Sequence, residues 1–283
     1  MRADSLRRLS FLTLRYILLY AILIAVGIFF MIPFAWMMST SLKQPSQIWI
    51  HPPKWIPEPI VWSNFPRALK MMKFMLQLKN TLTYSGITIV GVVLSCSLVA
   101  YGFARFEFPG RDFLFLLMIS TIMIPPQVTI IPTFILFTLL RWTNSLKPLI
   151  IPAFFGVPFF IFLLRQFFMT IPRDLDEAAI IDGSGYFRIY WQIILPLSKP
   201  AIAAIVIFQF VGTWNDFFGP LVYLNDESKY TLSIGLRAFQ GVYSTEWALL
   251  MAASIVVVMP CLLIYFFAQK YFIQGVVFSG IRG

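Results

Sequence analysis

The stretch EAAIIDGSGYFRIYWQIILP, residues 177–196, interrupts a chain that is otherwise made of long apolar runs. It brings charge, two glycines and a closing proline into the space between two such runs. Just upstream, Pro172 suits the first position of a helix, and Asp174, Asp176 and Glu177 favour the positive end of a helix dipole. Gly183 is placed to stop that helix with a left-handed cap. Ser184 can cap a second helix, whose apolar positions Tyr186, Ile189, Tyr190, Ile193 and Ile194 recur at helical spacing. Pro196 and Pro200 bracket the return to apolar sequence, and the small Ala178 and Ala179 leave room for another surface to approach. The expectation is a pair of short helices outside the bilayer, on a chain that is mostly inside it.

The surroundings support that placement. Of the 283 residues 59% are hydrophobic and only 12% charged, against roughly a quarter charged in soluble domains. Six runs are long enough to cross a membrane, at 16–42, 80–104, 113–140, 148–164, 200–225 (broken only by Asp216) and 247–269; a spanning helix needs about 20 such residues. The fold class is therefore an all-α integral membrane protein with six transmembrane helices and a helix-turn-helix loop between spans four and five. The shortest run is expected to continue past Arg165 toward Met169, with the arginine snorkelling to the interface. The first run is too long for a cleaved signal peptide and reads as a retained signal-anchor. The whole chain, 1–283, reads as one transmembrane domain, with a core over about 80–275 and a tail, first span and external loop over 1–79.

A net charge of +10 raises nucleic acid as a partner, but the cations sit mainly in loops and form no basic domain. An even number of spans puts both termini on one side, which then holds twelve of the 22 Lys and Arg. Six of the other ten lie in the first loop; outside it the ratio is twelve to four, which favours cytoplasmic termini. In that first loop HPPKWIPEP (51–59) should be extended. RALKMMKFMLQLKN (67–80) reads as an amphipathic helix on the outer membrane face, with Lys70, Lys73 and Gln77 apart from Leu69, Met72 and Leu76. Pro125, Pro126 and Pro132 predict a kinked or broken third span. His51 is the one histidine and has no partner cluster, so no metal site or catalytic role is expected; Cys96 and Cys261 read as small buried residues.

The spacing in the opening stretch resembles the signature loop of importer-type ABC transporter permeases: E-A-A, three residues, G, nine residues, I, one residue, L-P. Glu177, Ala178, Ala179, Gly183, Ile193, Leu195 and Pro196 fill every position. The segments at 163–183 and 194–224, together with AYGFARFEFPG (100–110) and the terminal GVVFSGIRG, are similar to the smaller permease of maltose-type importers. That resemblance implies that Glu177 and its neighbours, Asp182 among them, dock into a cleft on a cytoplasmic ATPase. It also implies two ATPase subunits, a second related permease, an extracytoplasmic solute-binding protein and a sugar or oligosaccharide substrate. The setting would be a bacterial or archaeal inner membrane, with lipid around the spans. The tail from Gln274 to Gly283 would reach toward the ATPases. This chain itself is expected to be no enzyme and to hold no cofactor: the phosphate-binding G-x-x-x-x-G-K-[ST] is absent and Gly-Lys never occurs, so ATP and magnesium would belong to the partner.

Inside the membrane the candidates for pathway or gate are Trp214, Asn215 and Asp216. Asp216 is the acid in a run that would otherwise cross uncharged, about 24 Å along a helix counted from Pro200. A polyol or glycerol phosphate remains an alternative cargo. A secondary transporter would need coupling-ion sites near the midplane, for which Asp216 alone is thin support.

Overall fold

A computed structural model describes the backbone of residues 2–241 and 244–277, with side chains over 15–241, 244–267 and 269. Every element long enough to matter is helical, and the described residues contain no strand beyond an isolated bridge between Gln240 and Thr245. In chain order the helices are α1 (Arg2–Ser41), α2 (Asn64–Met71), α3 (Phe74–Arg105), α4 (Arg111–Ser120), α5 (Pro126–Leu139), α6 (Lys147–Ile150) and α7 (Pro158–Thr170). There follow α8 (Asp174–Ile181), α9 (Tyr186–Ile189), α10 (Leu195–Leu197), α11 (Lys199–Trp214), α12 (Phe218–Tyr223), α13 (Leu232–Gly235) and α14 (Trp247–Val277). Among the described residues four helical stretches are long and apolar enough to cross a bilayer, and the number is up to six if each of two bent pairs, Arg111–Met123 with Pro126–Leu139 and Tyr186–Leu197 with Lys199–Trp214, counts as one span.

Backbone contacts group the chain into two units. One comprises residues 1–71 and 238–256. Its apolar stretch Arg15–Ser41 is 27 residues long and the most hydrophobic part of it buries no side chain, as a lipid-facing helix should. The end of α1 is tied down by polar groups: Asn64 Nδ2 donates to the carbonyls of Ser41 and Lys43, each at 2.9 Å, and Val61 N–H donates to Leu42 O at 2.9 Å. Lys43 is almost wholly buried, with its Nζ 3.9 Å from the centre of the Trp36 ring, and burial pulls its pKa below the usual lysine value.

The other unit comprises residues 72–237 and 257–283 and is built around α3. One face of α3 is lined by small side chains, Gly91, Ser95, Cys96, Ala100 and Ala104, which let neighbouring backbone come close. A Cβ at position 91 would lie 2.8 Å from the Phe154 ring. Span four unwinds against this face: α6 passes through a 3₁₀ turn to Gly156, whose φ of +91° only glycine adopts freely. The loosened backbone is satisfied by α3, since Ser95 Oγ donates to Ala153 O at 3.1 Å and Val157 N–H donates to Cys96 Sγ at 3.2 Å. Phe160, Ile161, Leu164 and Phe168 of α7 then pack on α3 together with Ala201 and Ile205 of α11.

Several expectations are refined. Span three is broken as its prolines predict, with α4 and its terminal 3₁₀ turn meeting α5 at 97°. Ile124 is extended ahead of Pro125, and Pro126 opens α5. Span four does run past Arg165, to Thr170. The arginine is half-buried rather than reaching straight out, its Nε donating to Phe103 O at 3.3 Å and its guanidinium lying 4.1 Å from the Phe115 ring centre.

Two readings are overturned. The helix expected over 67–80 is two pieces, because Lys73 adopts φ +55°, ψ 47° between α2 and α3; Met72 and Gln77 are buried. The fifth span is not continuous over 200–225: α11 ends at Trp214 and α12 starts at Phe218. Pro220 has no N–H to donate to the carbonyl four residues earlier, on Asp216, which removes one bond that would join α11 to α12. Ser233 Oγ donates to that carbonyl instead. The tail from residue 278 onward lies outside the described residues.

Candidate functional site: the loop over 174–196

The loop begins where α7 ends. Arg105, on the last turn of α3, places its Nε 3.0 Å from Asp176 Oδ2 and donates from Nη2 to Ile171 O at 3.1 Å. This fixes the start of α8. Burial outweighs the pull of Arg105 on Asp176 and raises its carboxyl above the ordinary range. Pro172 lies ahead of α8, which starts only at Asp174, so it is not the first helical residue as expected. Asp174, Asp176 and Glu177 do occupy the first turn.

The helix stops as Gly183 predicts. Gly183 has φ +79°; its N–H donates to Ile180 O and that of Ser184 to Ala179 O, both at 2.9 Å, the paired pattern of a Schellman cap. The residue at the entrance to α9 is Gly185, extended at φ −77°, ψ 160°, and not Ser184. From α9 the chain passes through one π turn, Tyr190–Ile194, into α10, and this stretch meets α11 at 76°.

The second half of the loop is an anchor. Ile189, Tyr190 and Ile194 are at most 2% exposed and join the core around α3. Tyr190 Oη lies 2.7 Å from Ser97 Oγ, and Tyr101 Oη donates to Tyr186 O at 3.1 Å. Buried hydroxyls paired in this way fix orientation as well as depth. Ile193 and Leu195 are half-buried, and Pro196 is exposed on the first turn of α10.

The first half faces outward. Glu177, Ala178, Asp182 and Gly183 are exposed, while Ala179 is turned inward. Beside them Ile181 is 86% exposed and Phe187 71%, with Ile180, Tyr186 and Trp191 also exposed. Sequence reasoning missed this apolar patch. Its signal was present: Ile180, Ile181 and Phe187 are large apolar residues that fall outside the buried stripe. Apolar groups gathered around an unpaired carboxylate, with no core beneath them, are the composition of a surface that a partner covers.

The three membrane candidates do not form one site. The Trp214 indole points into the bundle, donating to Val257 O at 2.9 Å and stacking on Phe210. Asn215 is exposed and donates back to Val211 O at 2.8 Å. Asp216 is a junction: Oδ2 accepts from Tyr84 Oη at 2.9 Å and Oδ1 from Gly219 N–H at 3.0 Å. Tyr84, which sequence reasoning did not single out, is the residue that ties α3 to the break after α11.

A family described as the binding-protein-dependent transport system inner membrane component matches residues 87–277. A probable ABC transporter permease protein of Pyrococcus horikoshii is 35% identical, over 93% of this chain and 96% of its own length. The arabinooligosaccharides transport system permease protein of Halalkalibacterium halodurans is 38% identical, over 70% of this chain and 71% of its own. An sn-glycerol-3-phosphate transport system permease protein of Yersinia pestis is 34% identical over 83% and 86%. Among solved structures, a bacterial ABC transporter involved in the import of alginate superposes with a TM-score of 0.80 at 23% identity, over 91% of this chain and 96% of that one. Four apolar helices with two further bent pairs, an anchored loop whose first half faces outward, and a family match across more than half the sequence converge: the chain belongs to the inner membrane permease components of binding-protein-dependent transport systems.

Proposed function

We propose that this chain is one of two related permeases forming the pathway of an ATP-driven sugar or oligosaccharide importer. The loop over 174–196 docks into one of two cytoplasmic ATPase subunits, and an extracytoplasmic binding protein delivers the cargo. The observation that carries this reading is the split character of the loop. Its second half is locked to α3 by Ile189, Tyr190 and Ile194, while Glu177, Asp182 and Gly183 stand exposed beside Ile181 and Phe187. A rigid mount with an exposed face can transmit movement between a docked subunit and the spans.

On this reading both termini are cytoplasmic, and the bound nucleotide and magnesium sit in the ATPases. This chain contributes no catalytic group; it receives the displacement caused by nucleotide-driven closure and passes it to α3 and α11. Asp216 with Tyr84 holds the break in span five and acts on transport through its geometry. The sugar assignment draws on relatives named for arabinooligosaccharides and diacetylchitobiose. A relative named for glycerol phosphate keeps that cargo as a second reading.

The test is to purify the complex with its binding protein and measure ATP hydrolysis against a panel of oligosaccharides and glycerol phosphate. Stimulation by an oligosaccharide is expected. Stimulation by glycerol phosphate alone would move the assignment to the second reading, and a cysteine at position 177 that never crosslinks to an ATPase would end the docking proposal.

A further inference from the structure

Four arginines surround a single cavity at the end of the bundle where α3 finishes, α4 starts and α7 finishes. Arg105, Arg111, Arg165 and Arg173 line a space of about 130 Å³ together with Met169. Three of these cations have carboxylate partners: Arg105 with Asp176 at 3.0 Å, Arg111 with Asp112 at 2.9 Å and Arg173 with Glu107 at 3.4 Å. The last pair is largely exposed on both sides, so water screens it. Arg165 has no ion pair among the described residues; its Nε donates to the Phe103 carbonyl and one face of its guanidinium lies on the Phe115 ring. Its two terminal nitrogens make no hydrogen bond among the described residues, although the residue is half-buried. The three carboxylates offset three of the four charges, which leaves one positive charge in excess and Arg165 as the cation that an entering anion would meet.

The position defines which anion. The apolar stretches Phe74–Arg105 and Lys147–Thr170 end here and Arg111–Met123 begins here, so the cavity lies at the level of lipid headgroups. Its volume is several times the roughly 10–15 Å³ that a single water requires, room enough for one tetrahedral phosphate group. Of its lining residues Met169 is 53% exposed, and on α4, which starts at Arg111, Phe113 and Leu117 are 69% and 54% exposed. Acyl chains can lie along these residues while the headgroup sits among the arginines.

We propose that this cleft binds the phosphate of an anionic phospholipid, with Arg165 and Arg173 as its principal contacts and Arg105 and Arg111 closing the charge around it. Guanidinium groups suit this task because two parallel N–H donors match two phosphate oxygens. The site stands independently of the cargo and of which side the loop faces. Because Arg105 also faces Asp176, an occupied cleft adjoins the mount of the loop.

The experiment takes the complete transporter in detergent, depleted of lipid, and titrates it with phosphatidylglycerol or phosphatidylcholine of matched chains, read by native mass spectrometry. One phosphatidylglycerol per copy of this chain should be retained roughly thirtyfold more strongly than phosphatidylcholine, as expected for two arginines near a headgroup. The double variant Arg165→Gln, Arg173→Gln should lose that preference, and Arg165→Lys, Arg173→Lys should keep part of it. Equal retention of the two lipids by the unaltered complex would overturn the proposal, as would a preference unchanged in the glutamine variant. Inorganic phosphate that displaces phosphatidylglycerol one for one would overturn the lipid source and make a free phosphate the ligand. Should the glutamine variant fail to assemble, the two-lipid comparison on the unaltered complex decides.

Discussion

Around Asp216 the polar groups face one another; in the loop over 174–196 they face away. Tyr84 Oη and the Gly219 N–H take up both carboxylate oxygens of Asp216, and Ser233 takes its carbonyl. Nearby, Thr213 donates to Ser85 at 2.8 Å. Every one of these groups is used within the bundle, which is what a bilayer demands of polar atoms that have no water to turn to. Glu177 and Asp182, by contrast, make no ion pair among the described residues, and the apolar side chains beside them are uncovered. Polar residues whose bonds are already made hold a fold together, whereas those left open beside bare apolar groups await another surface. The same residue types thus carry different functions according to whether their partners are in this chain.

The sharpest way to break the comparison is Glu177→Lys. Reversing an exposed charge should leave insertion intact and reduce uptake by roughly two orders of magnitude, the scale of losing a paired charge at an interface. Normal uptake with a docked ATPase would remove the loop from the coupling path. Next in size are the changes at the junction. Tyr84→Phe leaves one Asp216 oxygen without its donor and should cost roughly 1.5–3 kcal/mol of stability, read as a lower unfolding temperature. Asp216→Asn should slow uptake about tenfold by loosening the same bonds, with the ATPase still co-purifying; unchanged transport kinetics would make the junction irrelevant to transport.

Gly183→Ala is milder. Nothing lies within 4 Å of the added Cβ, so the cost is the backbone one of holding a side chain at φ +79°, about 1 kcal/mol. It should weaken ATPase retention several-fold, measured by pull-down. The smallest effect concerns Asp176. Its carboxyl is raised by burial, so the folded loop prefers the protonated form. Its contribution therefore falls as pH climbs from the ordinary carboxylate value through the raised one. Asp176→Asn should abolish that fall, read by thermal unfolding of the complex as pH is raised from about 4. A slope of opposite sign would mean that Arg105 dominates.

Much of this was open to reading in the sequence because the signals were local. Uncharged runs marked six spans, adjacent prolines marked the break in span three, and one glycine marked the turn after α8. What escaped depended on contacts between distant segments. Lys73 shares the helical spacing of its neighbours, and only its left-handed backbone separates α2 from α3. The run over 200–225 is uncharged apart from Asp216. Its break follows from Pro220 acting on a carbonyl four residues back and from a serine on another element that takes that carbonyl over. Tyr84 has no motif at all; its role exists only because Asp216 lies against it. In the loop, the motif spacing located the site, but which half is gripped and which is bare depends on α3 and could not be seen from 177–196 alone.

The single π turn at Tyr190–Ile194 has a geometric consequence for the nine residues between Gly183 and Ile193. A π turn holds one residue more than an α turn, so it sets the angular phase between α9 and everything downstream. Removing one residue inside the π turn would let it close into an α turn with the flanking helices nearly in phase, whereas removing one from α9, Arg188 for example, would swing Glu177 by about 100° relative to Tyr190. Tyr190 could then no longer point at Ser97 while Glu177 points outward. The spacing works as a crank setting: it fixes the direction from which a push on the outer helix arrives at the spans.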